Sequence, residues 1–372
     1  MNYARVIEFG RDSAGRLSTA SVTDQLSGEE FSVPAEVFVN ATGPFSDSIR
    51  HLATESSAPR MRLSKGAHIL LPLDLFPTQD AMLIPRTDDG RVLFAVPWNG
   101  RLLVGTTEQE VRPEDELFVS REDIDFMLGE LNKYLEHPVQ SSEIVSGFAG
   151  ARPLVSSGEK QRTQEIARDD VIEVDASSGL ISIMGGKWTT HRAMAEDTIN
   201  AVQKALGTPV SESPTRSHLL HGGEGFSDDL WKKLMVVYPI AIETARHLAA
   251  KFGTAAWKVL ELTQENPKLA EPILAGSPPL QAEVAYSVRE ELAATLEDIL
   301  ARRIGLQFYS WRDAIHAAPV VAELMAEELG WASEQTNSEL ASYVNKVNRS
   351  LERAGLEPEE LTRATTDGAS AV

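Results

Sequence analysis

The most informative stretch of the sequence is Ile181-Ser182-Ile183-Met184-Gly185-Gly186-Lys187-Trp188-Thr189-Thr190-His191-Arg192. It joins an apolar strand to two glycines, a lysine and the first turn of an amphipathic helix. Such a junction directs backbone N–H groups and the positive end of a helix dipole toward one point, and the lysine adds a cation there. Glycine lets the backbone approach a ligand closely or adopt a positive φ. The stretch predicts a site for an anionic or electron-rich group, although it can also serve as a plain strand-to-helix connection.

The bulk composition narrows the class of protein. The 372 residues carry a formal net charge of −20, which argues against nucleic acid as a partner and against a polybasic membrane anchor. Cysteine is absent, so disulfides, thiolate catalysis and cysteine-based metal sites are excluded. The apolar runs are shorter than the roughly 18 residues of a membrane-spanning helix, and residues 1–5 do not resemble a secretion signal. We expect a cytoplasmic protein.

A second strand–glycine–helix junction precedes the first along the chain. Residues 37–39 are a short apolar run that leads into Asn40-Ala41-Thr42-Gly43-Pro44, and residues 45–52 fit a helix. Proline is tolerated in the first turn of a helix because the N–H group there has no intrahelical partner. The chain therefore carries two junctions of the same kind.

The region between the junctions predicts antiparallel β structure. Residues 81–86, 91–97 and 102–106 are strand-like runs separated by Asp88-Asp89-Gly90 and Asn99-Gly100. Both separators are strong hairpin signals. We predict a three-stranded antiparallel meander here.

The character of the sequence changes after Lys204. Residues 214–223 form a linker rich in Ser, Pro and Gly, and the remainder is helical with no convincing strand. In residues 282–303 apolar side chains recur at spacings of three and four, so we expect one amphipathic helix with Asp298 and Arg302 paired on its opposite side.

Several motifs occur in the order in which one flavoprotein family uses them. They are Asn40-Ala41-Thr42-Gly43-Pro44, Ser64-Lys65-Gly66-Ala67-His68-Ile69-Leu70, Gly150-Ala151-Arg152-Pro153-Leu154, Gly185-Gly186-Lys187-Trp188-Thr189-Thr190, Glu297-Asp298-Ile299-Leu300-Ala301-Arg302-Arg303 and Leu329-Gly330-Trp331. Each motif by itself is weak evidence for a particular family. In series they resemble the FAD-dependent, quinone-linked glycerol-3-phosphate dehydrogenase family over nearly the whole chain.

The resemblance implies an α+β or α/β fold, in which the remainder of an FAD-binding Rossmann-like domain and an antiparallel-sheet substrate domain are followed by an all-α C-terminal domain. We expect the FAD-binding domain in residues 1–50 and again in 151–210, and the substrate domain in 51–150. The helical domain would occupy 211–350, and 351–372 would be a flexible tail.

The chain departs from the family in one respect. The family begins with a βαβ unit that carries G-x-G-x-x-G, and this sequence contains no such motif. We therefore expect a chain that lacks the N-terminal FAD fingerprint and binds FAD weakly by itself. A non-catalytic truncated fragment, one half of a split protein and a related glycerol-3-phosphate oxidase stay open as alternatives.

The resemblance implies oxidation of sn-glycerol 3-phosphate to dihydroxyacetone phosphate, with FAD as cofactor and electrons passed to quinone. His68 matches a position near the substrate hydroxyl, where an imidazole suits removal of the proton as hydride leaves the carbon. Arg152 matches an arginine that faces substrate beside the flavin, where a guanidinium holds an alcohol or phosphate oxygen. Without the resemblance, the simpler interpretation of His68 is a core histidine, and that of Arg152 is a solvated turn residue.

The resemblance also assigns the anion-binding positions. Arg168 matches the arginine that binds the substrate phosphate, because a bidentate fork suits a dianion; otherwise it is a surface charge. Lys187, a further substrate-binding position, would lie at the pyrimidine edge of the flavin and raise its electron affinity. The backbone amides of Gly185, Gly186, Trp188 and Thr189 would line the same edge. Thr42 and Gly43 would pack against the FAD pyrophosphate or ring.

The sequence offers little support for other ligands. His218 and His221 have no ligand partners in the pattern, so we expect no metal site. The resemblance leaves open a homodimer and a peripheral contact with the inner face of the cell membrane.

Overall fold

The computed structural model describes residues 1–76, 78–156 and 169–361. The strands are β1 (Ala4–Arg11), β2 (Leu17–Asp24), β3 (Glu30–Pro34), β4 (Val39–Asn40), β5 (Met61–Pro72), β6 (Met82–Ile84), β7 (Leu93–Trp98), β8 (Arg101–Gly105), β9 (Gln109–Val111), β10 (Ser146–Val155), β11 (Asp170–Val174) and β12 (Ile181–Gly185). The α-helices are α1 (Ser46–Ala53), α2 (Arg121–Leu131), α3 (His191–Ala205), α4 (Leu230–Val237), α5 (Ile242–Phe252), α6 (Ala256–Glu265), α7 (Gln281–Arg289), α8 (Leu306–Tyr309), α9 (Trp311–Leu329) and α10 (Ser333–Arg353). Within these ranges no helix has the length and apolar character needed to cross a bilayer.

The chain separates into two compact units. Unit 1 comprises Met1–Gly66, Thr107–Leu117 and Ala149–His218. Unit 2 comprises Ala67–Thr106, Phe118–Phe148 and Leu219–Val372. The finer division into five segments stays a prediction.

Unit 1 contains two three-stranded sheets. One is antiparallel in the order β1-β2-β3, and the other has the order β11-β12-β4. In the second sheet β12 runs antiparallel to β11 and parallel to β4, with Ile181 opposite Val39. Leu17 on β2, Ala53 on α1 and Leu180 form a small buried core in this unit. Because β4 and β12 are parallel, the turns that follow them leave the sheet at the same edge.

Unit 2 contains the predicted antiparallel meander. The strands lie in the order β8-β7-β6, and the residues 68–72 of β5 pair antiparallel with β8. Asn99 and Gly100, between β7 and β8, have φ values of +48° and +76°. Two consecutive positive values are typical of the tight turn that matches the twist of a hairpin. The Asn-Gly signal was therefore sufficient to place this turn.

The helical part of unit 2 corrects one expectation. The single helix expected over residues 282–303 ends at Arg289, and a π-helix spans Asp298–Arg303. The carboxylate of Asp298 accepts hydrogen bonds from the backbone N–H groups of Ala294 and Thr295, at 2.9 and 3.1 Å. A side chain that takes these donors starts a new helical segment rather than continuing the first. Asp298 does pair with Arg302, at 2.9 Å, but it is buried.

Candidate functional site

The two glycine junctions meet at one edge of the β11-β12-β4 sheet. The turn at Gly43 follows β4, and the turn at Gly185 and Gly186 follows β12. In open α/β sheets the carboxyl ends of adjacent parallel strands form the crevice in which ligands bind. The sequence predicted each junction separately, and the pairing of β12 with β4 brings them together.

The backbone conformation favours glycine at both Gly185 and Gly186, and close packing against backbone adds a second reason at Gly185. Their φ values are +73° and +81°, a region that costs L-residues about 1–2 kcal/mol. A methyl group on Gly185 would lie 2.6 Å from the carbonyl oxygen of Asp169, and one on Gly186 would lie 2.5 Å from Sδ of Met194. The turn therefore presents bare backbone to the crevice.

Asn40 holds the first turn in place, and the sequence reasoning missed this role. Its buried side-chain Nδ2 donates to the carbonyl oxygen of Ser46 at 2.9 Å and to Oγ of Ser182 at 3.2 Å. Its Oδ1 accepts from Oγ1 of Thr42 at 2.7 Å. One amide thus joins β4, α1 and β12. An asparagine at a strand end, directly before Ala-Thr-Gly-Pro, was the available signal.

Lys187 and the residues after it form the positive side of the site. Lys187 is exposed, and Trp188–Thr190 form a 3-10 turn before α3 begins at His191. The hydroxyl of Thr190 donates to the carbonyl oxygen of Lys187 at 3.0 Å. The first N–H groups of such a turn have no intrahelical acceptor. Trp188 is 86% exposed and stacks on His191, with ring centroids 5.3 Å apart.

These elements enclose an open, mostly apolar cleft of 610 Å³ in unit 1. That volume lies in the range of small-molecule sites. The cleft is lined by residues from both turns, from β4, β10 and β12, and from α3: Val39, Ala41, Gly43, Pro153, Ile183, Gly185, Gly186, Lys187, Trp188, His191, Met194, Ala195, Thr198 and Ile199.

The other predicted site residues that the structure describes are not among those that line the cleft. Thr42 and Thr189 flank lining residues of the cleft, and Arg152 directly precedes the lining residue Pro153 on β10. Arg168 lies outside the described residues. His68 belongs to unit 2, where it lies opposite Gly105 in the pairing of β5 with β8.

Two family models match consecutive parts of the chain. Residues 1–192 match the family model described as FAD dependent oxidoreductase. Residues 213–336 match the model described as the C-terminal domain of alpha-glycerophosphate oxidase. The first match covers more than half of the chain.

Individual relatives carry a consistent name. The chain is 37% identical over 331 residues to the mitochondrial glycerol-3-phosphate dehydrogenase of Bos taurus, covering 87% of this chain and 45% of that protein. The same figures hold for the Homo sapiens protein. The chain thus spans about half the length of the curated relatives it matches.

A solved structure is similar over almost the whole chain. It is the glycerol-3-phosphate dehydrogenase of Bacillus halodurans complexed with FAD, with a TM-score of 0.76 and 28% identity, covering 97% of this chain and 71% of that one. The fold class and the family expected from the motifs are confirmed. The chain belongs to the FAD-dependent oxidoreductases and, among them, to the FAD-dependent glycerol-3-phosphate dehydrogenase family.

Proposed function

We propose that this chain acts in the FAD-dependent oxidation of sn-glycerol 3-phosphate to dihydroxyacetone phosphate, with electrons passed to a quinone. One observation carries the proposal, namely that two glycine turns and the cation of Lys187 line a single cleft. The substrate comes from the names of the relatives and of the structural neighbour, which are glycerol-3-phosphate dehydrogenases.

The residues that line the cleft fit FAD. A methyl group on Gly43 would meet no atom within 4 Å, so the turn after β4 faces open space. The backbone at Gly185 and Gly186 is bare, and Lys187 offers a cation beside it. We assign Thr42 and Gly43 to the pyrophosphate or ring, and residues 185–189 to the pyrimidine edge.

Side chains of this protein would bind the substrate and take its proton. Bound FAD would accept the hydride that leaves C2 of the substrate. His68 would take the proton of the C2 hydroxyl, because a neutral imidazole is available near neutral pH. Arg152 would hold the hydroxyl oxygen and cannot act as base, since a guanidinium stays protonated. Arg168 would bind the phosphate, and Lys187 would contact the substrate from its place at the pyrimidine edge of the flavin.

The electron acceptor, the assembly state and the location belong to the same proposal. A quinone dissolved in a bilayer would require a peripheral contact with the inner face of the cell membrane by an otherwise cytoplasmic protein. We include a homodimer in the proposal, without a nucleic-acid partner. Cell fractionation and light scattering test these points.

The proposal is tested by FAD titration followed by assay with glycerol 3-phosphate and a soluble quinone analogue. At FAD concentrations high enough to overcome the weak binding expected without G-x-G-x-x-G, we expect the yellow, FAD-loaded protein to reduce the analogue, and glycerol without phosphate to be a poor substrate. Arg152→Ala and Arg168→Ala should each lower kcat/KM by at least about 100-fold, because each removes a charge-assisted contact. Arg349→Ala, at an exposed position on α10, is the matched control and should change nothing. Unchanged kcat/KM in both site variants would refute the substrate assignment.

The alternatives give different results in the same assay. Hydrogen peroxide formed in air, without need for a quinone, would identify an oxidase. FAD bound only after addition of a second polypeptide that carries G-x-G-x-x-G would identify one half of a split enzyme. Protein that stays colourless in both cases would be non-catalytic.

A further inference from the structure

The imidazole of His68 stacks on an aromatic ring that the sequence reasoning did not single out. The centroids of His68 and Phe148 lie 5.0 Å apart, with an angle of 18° between the ring planes. Both residues belong to unit 2 and are half-buried. The torsion that sets the plane of an imidazole is broad and roughly two-fold. A stacked neighbour therefore restricts the direction in which the ring nitrogens point.

Gly105, on the partner strand β8, limits the space beside the imidazole of His68. It lies opposite His68 in the pairing of β5 with β8. A methyl group at residue 105 would lie 2.7 Å from Cγ and 2.8 Å from Nε2 of His68. The absence of a side chain at this position gives the imidazole its place against Phe148.

Phe148 is held in turn by Phe308, which comes from α8. The two rings meet edge to face, with centroids 5.4 Å apart and planes at 88°. This is a favourable geometry for aromatic pairs. The helical C-terminal region therefore contributes Phe308, the residue that packs against the ring on which His68 stacks.

Short α8 is itself fixed to the strands of unit 2. Oγ of Ser146 donates to the carbonyl oxygen of Gln307 at 2.6 Å, and Nε of Arg101 donates to that of Tyr309 at 3.1 Å. The rings of Trp98 and Tyr309 stack, with centroids 5.2 Å apart. Contacts on both sides of Phe308 thus prevent it from moving away from Phe148.

We propose that Phe148 is a positioning residue for His68, and that Phe308 keeps Phe148 in place. The proposal rests on the role of His68 as the base in the proposed function. A base acts only within hydrogen-bonding reach of the proton that it takes, and small errors in placement are costly. The C-terminal helical region would thereby influence catalysis without touching the substrate.

The first test separates kcat from KM in the FAD-loaded protein. Phe148→Leu should lower kcat by about 10- to 100-fold and change KM by less than about twofold. Phe148→Tyr retains a ring and should restore kcat. Phe308→Leu leaves the stacked pair intact and should have a smaller effect in the same direction. The matched control is Phe252→Leu, which removes another edge-to-face pair at 5.4 Å, with Tyr286, and should leave kcat unchanged.

The second test needs no cofactor. The chain contains eight histidines, so ring-labelled histidine gives a small set of NMR signals, and His68→Gln identifies the one of interest. Stacking on Phe148 should shift that signal upfield. Phe148→Leu should move it downfield and broaden it, Phe308→Leu should broaden it, and Phe252→Leu should leave it unchanged.

The two tests fail independently. If the His68 signal keeps its position and width in both Phe148→Leu and Phe308→Leu, the positioning proposal is wrong, whatever happens to kcat. If the signal moves but kcat stays at the wild-type level while His68→Gln abolishes activity, ring placement is not limiting and the proposal is again wrong. If His68→Gln leaves kcat unchanged, the base assignment fails instead. Should Phe148→Leu not fold, Phe308→Leu decides both measurements.

Discussion

The Cα atom of Gly105 lies against the imidazole of His68, at a distance that leaves no room for a methyl group. Such a group would be 2.7 Å from Cγ and 2.8 Å from Nε2 of the ring. The two residues are partners across β5 and β8, so neither can shift without disturbing a strand pair. The backbone of the meander therefore determines where the histidine ring can be.

Gly105→Ala is expected to displace the His68 ring. Relieving the overlap requires a new rotamer or a strand shift, which costs about 1–3 kcal/mol of unfolding free energy. The activity of the FAD-loaded protein should fall with it. Urea unfolding and kcat measure the two effects. Gly129→Ala in α2, where a methyl would meet no atom within 4 Å, should leave kcat unchanged and be neutral or slightly stabilising. Equal behaviour of the two variants would contradict the crowding at residue 105.

Gly185→Ala is expected to destabilise the cleft. The positive φ costs about 1–2 kcal/mol, and the overlap with the carbonyl oxygen of Asp169 raises the total to about 3 kcal/mol. Gly207→Ala, at φ +69° with no atom within 4 Å, isolates the cost of the backbone conformation. We expect unfolding free energy to fall more for Gly185→Ala, and FAD binding to be lost only there. A smaller loss at Gly185 than at Gly207 would be incompatible with the packing described.

Glu283 provides a pH-dependent contribution to stability. Its carboxylate is completely buried and lies 2.9 Å from Nζ of Lys251 and 3.0 Å from Nε2 of His247. Burial raises the pKa of Glu283, but the charge of Lys251 and the hydrogen bond from His247 outweigh it and hold the pKa below its usual 4.5. The stabilisation of the folded state by the Glu283 carboxylate is therefore fully present above pH 4.5. It is lost as the pH falls through the lowered pKa that this group has in the folded state.

Glu283→Gln should lower the unfolding free energy by about 3 kcal/mol at pH 7, because it leaves the ammonium group of Lys251 without its buried counter-charge. The difference from wild type should shrink as the pH is lowered below 4.5, since the wild-type carboxylate then loses its own contribution. Urea unfolding between pH 7 and pH 3 checks both statements. Glu328→Gln removes one partner of the more exposed pair with Arg289 and should cost no more than about 1 kcal/mol.

Lys187→Met tests the cation at the cleft. If Lys187 lies beside the flavin, the substitution should weaken FAD binding by about 2- to 10-fold and lower the flavin midpoint potential, because charge near a helix terminus favours the reduced form. Lys204→Met, in the last turn of α3, is the control for lost positive charge. Identical flavin midpoint potentials in the two variants would show that Lys187 does not lie beside the flavin.

Local sequence determined the elements whose conformation depends only on neighbouring residues. The Asn99-Gly100 turn and the Gly185-Gly186 junction follow from the positive φ values that these residues tolerate. Both were therefore predictable. The helix over residues 282–303 was not, because apolar spacing does not reveal that Asp298 takes the backbone donors of Ala294.

Tertiary structure decided which distant residues meet. The parallel pairing of β12 with β4 brings Gly43 and Gly185 to one cleft. The pairing of β10 with β5 and the packing of α8 place Phe148 beside His68 and Phe308 against Phe148. Short-range patterns contain no information on such pairings, since they depend on strand order and on packing between segments far apart in the chain. The sequence alone therefore determined the kind of site, and only the tertiary structure decided which side chains hold its parts in position.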